Sequence, residues 1–158
     1  MQATKKVANR DIIYSINEKD KTASVVGYKY YTYDKPYFYI RSIIKISSEY
    51  YKVTSIAKNA FKFCDASTIE ISEYASIQSI ESDSFFEAQF KLLKIPSSIM
   101  NFDKNWNDSI YFLKKIEVVK TDIENIKVIE DKYLVGKTDL NSDIFDVLLF
   151  ACRDIREA

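Results

Sequence analysis

The sequence predicts an α/β repeat fold, a short right-handed solenoid of stacked coils with flanking β-hairpins. Three observations predict it. The first is a repeat: Val53-Thr-Ser-Ile56, Ile77-Gln-Ser-Ile80 and Ile99-Met-Asn-Phe102 each lead, through Phe61, Phe85 or Trp106, to Ile69-Glu-Ile71, Leu93-Lys-Ile95 or Ile116-Glu-Val118. Val53 to Ile77, Phe61 to Phe85 and Ile71 to Ile95 are all steps of 24 residues, and the third copy follows after 22 or 23. Self-similarity at this period marks coils that bury a continuous core only by stacking. The second observation is strict apolar/polar alternation in the three later segments, the pattern of a strand with one buried face. The third is segment length. Asn59–Cys64, Ser84–Ala88 and Asn105–Tyr111 fit one or two helical turns, with Ser84 and Glu87 spaced as a capping box.

The remaining elements follow in chain order. Residues 1–10 read as a disordered lead. Residues 11–52 read as an N-terminal β cap, opening with a hairpin over 11–28 whose arms Ile12–Ile16 and Thr22–Val26 flank a polar loop. Tyr28 to Tyr39 holds six of the twelve tyrosines, bent at Asp34-Lys-Pro36. A further strand pair is expected between Ile40 and Val53. Residues 53–122 carry the three repeats, with Pro96 just past the second strand. Residues 123–158 depart from the repeat and read as a C-terminal hairpin cap over 128–151, or as an insertion between repeats. A solenoid needs such caps to cover its apolar ends.

Composition narrows the function classes. With 158 residues the chain is one domain with a real core. Twenty-three acidic and 23 basic side chains give no net charge and no basic footprint for nucleic acid. There is no histidine, which removes the commonest general base and metal ligand. Two glycines leave no phosphate-cradling loop, so neither catalytic residues nor a metal is expected and the chain reads as a non-enzyme. Cys64 and Cys152 lack zinc-ligand spacing. Spacing leaves a disulfide between them open, while burial as free thiols is the commoner state. No stretch reaches the ~20 apolar residues that span a bilayer. The N-terminus has no apolar run of a secretory signal.

Val53-Thr-Ser-Ile-Ala-Lys-Asn-Ala-Phe-Lys-Phe-Cys64, with a strand ending Leu93-Lys-Ile-Pro96, resembles the BspA-type leucine-rich repeat. Asp11-Ile-Ile-Tyr14 and the tail from Tyr133-Leu-Val-Gly136 are similar to segments around such repeats in protist surface-antigen-like proteins. The second copy has Ser84-Phe85 where the family has Ala-Phe, and the third is rebuilt around Trp106. The resemblance implies a leucine-rich-repeat-like solenoid and a non-catalytic interaction protein for adhesion, without a cofactor, binding host or partner proteins or glycans. It implies a cell-surface or secreted place, with an intracellular interaction scaffold in the cytoplasm as the alternative. Three copies, where the family often has many, imply a short member or a segment of a longer protein.

Two surfaces are candidates for partner binding. Strand alternation turns Thr68, Glu70 and Ser72, Leu92 and Lys94, and Lys115, Glu117 and Val119 outward. Among these, Glu70, Lys94 and Glu117 fall side by side with alternating sign. The bland reading is a self-neutralising ladder, worth about 0.2–1 kcal/mol per cross-strand pair. The second surface is the tyrosine-rich segment, Tyr28, Tyr30, Tyr31, Tyr33, Tyr37 and Tyr39, because tyrosine supplies contact area at low entropy cost. Its bland reading is aromatic packing of an edge strand against the first coil. A third, weaker candidate is Trp106 with Asn101 and Asn105, next to the glycosylation acceptor Asn107-Asp-Ser109.

Overall fold

The computed structural model of the chain describes residues 4–30 and 36–152. It opens with an antiparallel meander of β1 (Thr4–Asn9), β2 (Ile12–Asn17) and β3 (Thr22–Tyr28). Residues 4–9, expected as a disordered lead, are therefore a strand. The Arg10-Asp11 turn folds it back so that Val7 packs against the core. The predicted hairpin over β2 and β3 is present.

β4 (Tyr37–Ile40) is followed by a hairpin of β5 (Ile43–Ile46) and β6 (Glu49–Ile56). Then come β7 (Thr68–Ile71), β8 (Ser79–Ile80), β9 (Leu92–Pro96), β10 (Asn101–Phe102) and β11 (Lys115–Val119). Pro96 ends β9 rather than following it. The chain closes with an antiparallel sheet of β12 (Lys127–Ile129), β13 (Tyr133–Gly136) and β14 (Val147–Ala151), one strand more than the predicted hairpin.

Parallel pairing stacks the coils twice over. One stack aligns Val25 with Ile56, Ile56 with Ile80 and Ile80 with Phe102. The other aligns Phe38 with Ile69, Ile69 with Leu93 and Leu93 with Ile116. Within a coil the two stacks are 13 residues apart (Val25 to Phe38, Ile56 to Ile69, Ile80 to Leu93), then 14 from Phe102 to Ile116. The chain thus builds four coils rather than three. The first coil runs from β3 to β4, inside the segment read as cap. Its period is hidden because β5 and the start of β6 stretch the step to the second coil to 31 residues, Val25 to Ile56.

The helical turns are not there: no described residue is helical, so the fold is all-β and the predicted α component is corrected. Each of the last three coils instead chains three tight turns, as in Ala60 N to Ala57 O, Lys62 N to Asn59 O and Cys64 N to Phe61 O. Pairs of residues with positive φ interrupt any right-handed helix: Asn59 and Phe63, Asp83 and Glu87, Asn105 and Ser109. Asn and Asp tolerate that conformation best, and they lead every pair. Segments this short also fall well below the length at which a helix sustains itself. The freed donors reach the next coil, Phe61 N to Ser84 O and Phe63 N to Phe86 O, at 2.8 and 2.9 Å. The Ser84–Glu87 capping box is absent for the same reason: the Ser84 hydroxyl, fully buried, donates to the carbonyls of Glu81 and Ile56.

A column of rings runs up the core. Tyr28 stacks on Phe61 (5.9 Å between centroids) and Phe61 on Phe85 (5.6 Å). Phe85 meets Trp106 edge-on, and Trp106 meets Phe150 of β14 at 5.9 Å, which ties the last coil to the C-terminal sheet. Full burial of one such side chain contributes about 1.5–3 kcal/mol. Cys64 and Cys152 are buried free thiols.

Candidate interaction face

The sheet ordered β11-β9-β7-β4 positions the candidate residues. Alternation sends Phe38, Ile40, Ile69, Ile71, Leu93, Ile95 and Ile116 into the core, all buried. The opposite face carries two rows in register: Tyr37, Thr68, Leu92, Lys115 and Tyr39, Glu70, Lys94, Glu117. Tyr37 and Tyr39 and the charge ladder, separate candidates in the sequence, are therefore one surface.

Its charged part is paired. Lys94 Nζ lies 3.5 Å from the Glu70 carboxylate across the strands. Glu117 is held by Lys115 two residues away on its own strand, at 3.1 Å, and not by Lys94. Thr68 and Ser72, expected outward, are buried. Thr68 stands between Tyr37 and Leu92, and Ser72 lies beyond the end of β7, where its N–H donates to Ile40 O.

The aromatic part is open. Tyr37 and Tyr39 are 53% and 44% exposed at the edge of the sheet. Tyr74 extends this end; a hydrogen bond to Glu73 raises its pKa, and Tyr39 is near enough to add to the shift. Tyr30 is 74% exposed on the segment after β3. Tyr28 is half-buried: its ring stacks on Phe61 in the core column and its hydroxyl donates to Lys62 O at 3.0 Å. Burial pushes the Tyr28 phenol up to about 12. Tyr31 and Tyr33 lie outside the described residues. Trp106 is buried core, with Asn107 half-buried beside it in the turn.

Beside Tyr37 and Tyr39 is a cleft of about 160 Å³, lined by Asn9, Arg10, Asp11 and Arg41 together with those two rings, over the buried Tyr14. Burial pushes the Tyr14 phenol up to about 12, against the opposing pull of the Arg41 amide hydrogen bond and the Arg41 charge. Asn9 donates its side-chain amide to Lys45 O. Sequence reasoning missed Asn9, Arg10 and Arg41. The available signal was arginine usage, since 19 of the 23 basic residues are lysines.

A second aromatic patch was also missed. On the turn face Phe63 is 55% exposed, its ring meets Phe86 edge-on, and Lys62 lies over both at 5.0 and 5.5 Å. Its lysine is already engaged by the rings. Among the described residues no group of three or more Cys, Asp and Glu is placed to hold a metal, and no helix is long and apolar enough to cross a membrane.

No protein-family description and no curated protein matches the chain. Among solved structures it is similar to a leucine-rich repeat protein from Bacteroides capillosus at 15% identity and TM-score 0.46, over 72% of this chain and 98% of that one. A leucine-rich repeat protein from Bacteroides ovatus shows 15% identity and TM-score 0.39, over 75% and 44%. A leucine-rich cell surface protein from Faecalibacterium prausnitzii shows 12% identity and TM-score 0.33, over 86% and 59%. The chain thus spans about half the length of the latter two. At these values the stacked-coil description rests on the chain's own pairing.

Proposed function

We propose that the chain is a non-catalytic interaction module that binds a protein partner through the tyrosine end of its parallel sheet. The observation that carries this reading is the placement of Tyr37 and Tyr39, about half exposed at the sheet edge, with Tyr39 in register with the paired Glu70 and Lys94. Exposed aromatic anchors beside neutralised charges are the composition of a contact surface. A neutral flank also costs little to desolvate compared with isolated charges.

The motif resemblance to BspA-type repeats supports a surface-associated place and an adhesive role. Two experiments test the reading. Partner capture by the wild-type chain and by Tyr37→Ser/Tyr39→Ser, with circular dichroism and melting recorded for both, should show lost capture on an intact fold. Unchanged capture would refute the face. Antibody labelling of intact against permeabilised cells should label intact cells, and purely internal staining would refute the surface placement.

A further inference from the structure

The chain has four arginines, Arg10, Arg41, Arg153 and Arg156, against nineteen lysines. The two in the described residues, 31 positions apart, line the same cleft. They arrive by different routes. Arg10 is the first residue of the Arg10-Asp11 turn between β1 and β2, at φ 54°. Arg41 follows the last residue of β4, and its amide is hydrogen-bonded to Tyr14. Several lysines elsewhere are engaged, Lys94 by Glu70, Lys115 by Glu117, Lys21 by Glu49 and Lys62 by two rings. Neither arginine has an ion-pair partner among the described residues. Asp11, the acid of the cleft, has interactions of its own and leaves the recess with one positive charge in excess.

Strand β4 supplies one side of the cleft. The carbonyls of Pro36 and Ile40 accept from Ser67 and Ser72, toward β7. Polar groups alternate in direction along a strand, so the N–H and carbonyl groups of Tyr37 and Tyr39 both point to the opposite edge, where no strand pairs among the described residues. Guanidinium forks around one recess are the donor set that recognises a carboxylate. The cleft, about 160 Å³, matches the ~150 Å³ cavities that hold one benzene-sized molecule. The cleft itself has room for one side chain, and Arg10 and Arg41 also border a wider recess lined by Ile43, Lys45 and Tyr50.

Building on the interaction reading above, we infer that this cleft is a carboxylate-binding pocket that takes one Asp or Glu side chain of the protein partner, clamped by Arg10 and Arg41 while Tyr37 and Tyr39 contact the flanking residues. The pocket gives the flat, neutral sheet face a charged point of register.

The test titrates the full chain with three probes: a blocked hexaglutamate peptide, a blocked hexaglutamine peptide and trigalacturonic acid. Hexaglutamate should bind, should weaken as salt rises, and should lose at least tenfold in affinity in Arg10→Gln, in Arg41→Gln and in the double variant. All variants should keep the wild-type circular dichroism spectrum, and Arg41→Lys should restore part of the loss if a variant is destabilised. Hexaglutamine should not bind. No hexaglutamate binding at millimolar peptide, or binding unchanged in the double variant, would overturn the inference. Arginine-dependent binding of trigalacturonic acid without hexaglutamate binding would overturn it in favour of a sugar-acid site. Each of these failures alongside tyrosine-dependent partner capture would sink the pocket and leave the face standing.

Discussion

Tyr39 stands directly opposite Glu70 across the parallel pairing of β4 and β7, so the aromatic and charged ends of the outer face meet at one cross-strand contact. Tyr28, eleven residues earlier, points into the core. The two tyrosines should therefore respond oppositely to truncation. Tyr39→Ser is expected to leave stability within about 0.5 kcal/mol and to weaken partner capture. Tyr28→Ser, which removes a stacked ring and the hydrogen bond to Lys62 O, should cost about 2–4 kcal/mol in urea unfolding.

Phe85 touches Phe61, Phe90 and Trp106 at the centre of the ring column and is fully buried. Phe85→Ala is expected to cost about 3–5 kcal/mol. Phe63→Ala, on the exposed turn face, should cost under about 1 kcal/mol, and equal losses at the two positions would contradict the stacking of coils around that column.

The Glu70–Lys94 pair should contribute little. A double-mutant cycle of Glu70→Gln and Lys94→Met is expected to return a coupling at or below about 1 kcal/mol, shrinking with salt. A coupling of several kcal/mol would mark the ladder as a main support of the sheet.

Alkaline pH should destabilise the fold through groups buried in their neutral forms. Burial pushes the Cys64 thiol up to about 12, with the Asp65 charge adding to the shift. Tyr14 is raised to about 12 as well. A raised folded pKa means that the folded state keeps a proton that the unfolded chain has released. The stabilisation is whole below pH ~8.5 for the thiol and ~10 for the phenol, and is lost as pH climbs toward 12. Unfolding midpoints should be flat from pH 7 to 8.5 and fall steadily above pH 9, less steeply in Cys64→Ala. At pH 8 the native Cys64 thiol should resist a disulfide exchange reagent and react on unfolding.

Much of the fold is legible in the residues. The 24-residue step fixes the coils because Phe61 and Phe85, and Ile71 and Ile95, must stack on their equivalents. The first coil is not legible, since its counterpart of Ile56 is Val25 and the hairpin around Ser47 breaks the period. The turns read as helical because Ala60-Phe61 and Ser84-Phe85 place apolar residues well for either. What decides between them is the left-handed backbone at Asn59, Phe63, Asp83 and Glu87, which composition does not announce. Of the candidate face, alternation identifies Glu70 and Lys94. The partnership of Tyr37 with Thr68 and the meeting of Arg10 with Arg41 depend on how distant segments pack.

The sheet face and the turn face both expose aromatic rings, and photo-crosslinking separates them most directly. Benzoylphenylalanine is placed at position 39 in one sample and at position 63 in another, and each is irradiated with the captured partner. Adducts from position 39 and none from position 63 are the expected result. Adducts from position 63 alone would contradict a binding face built on Tyr37 and Tyr39.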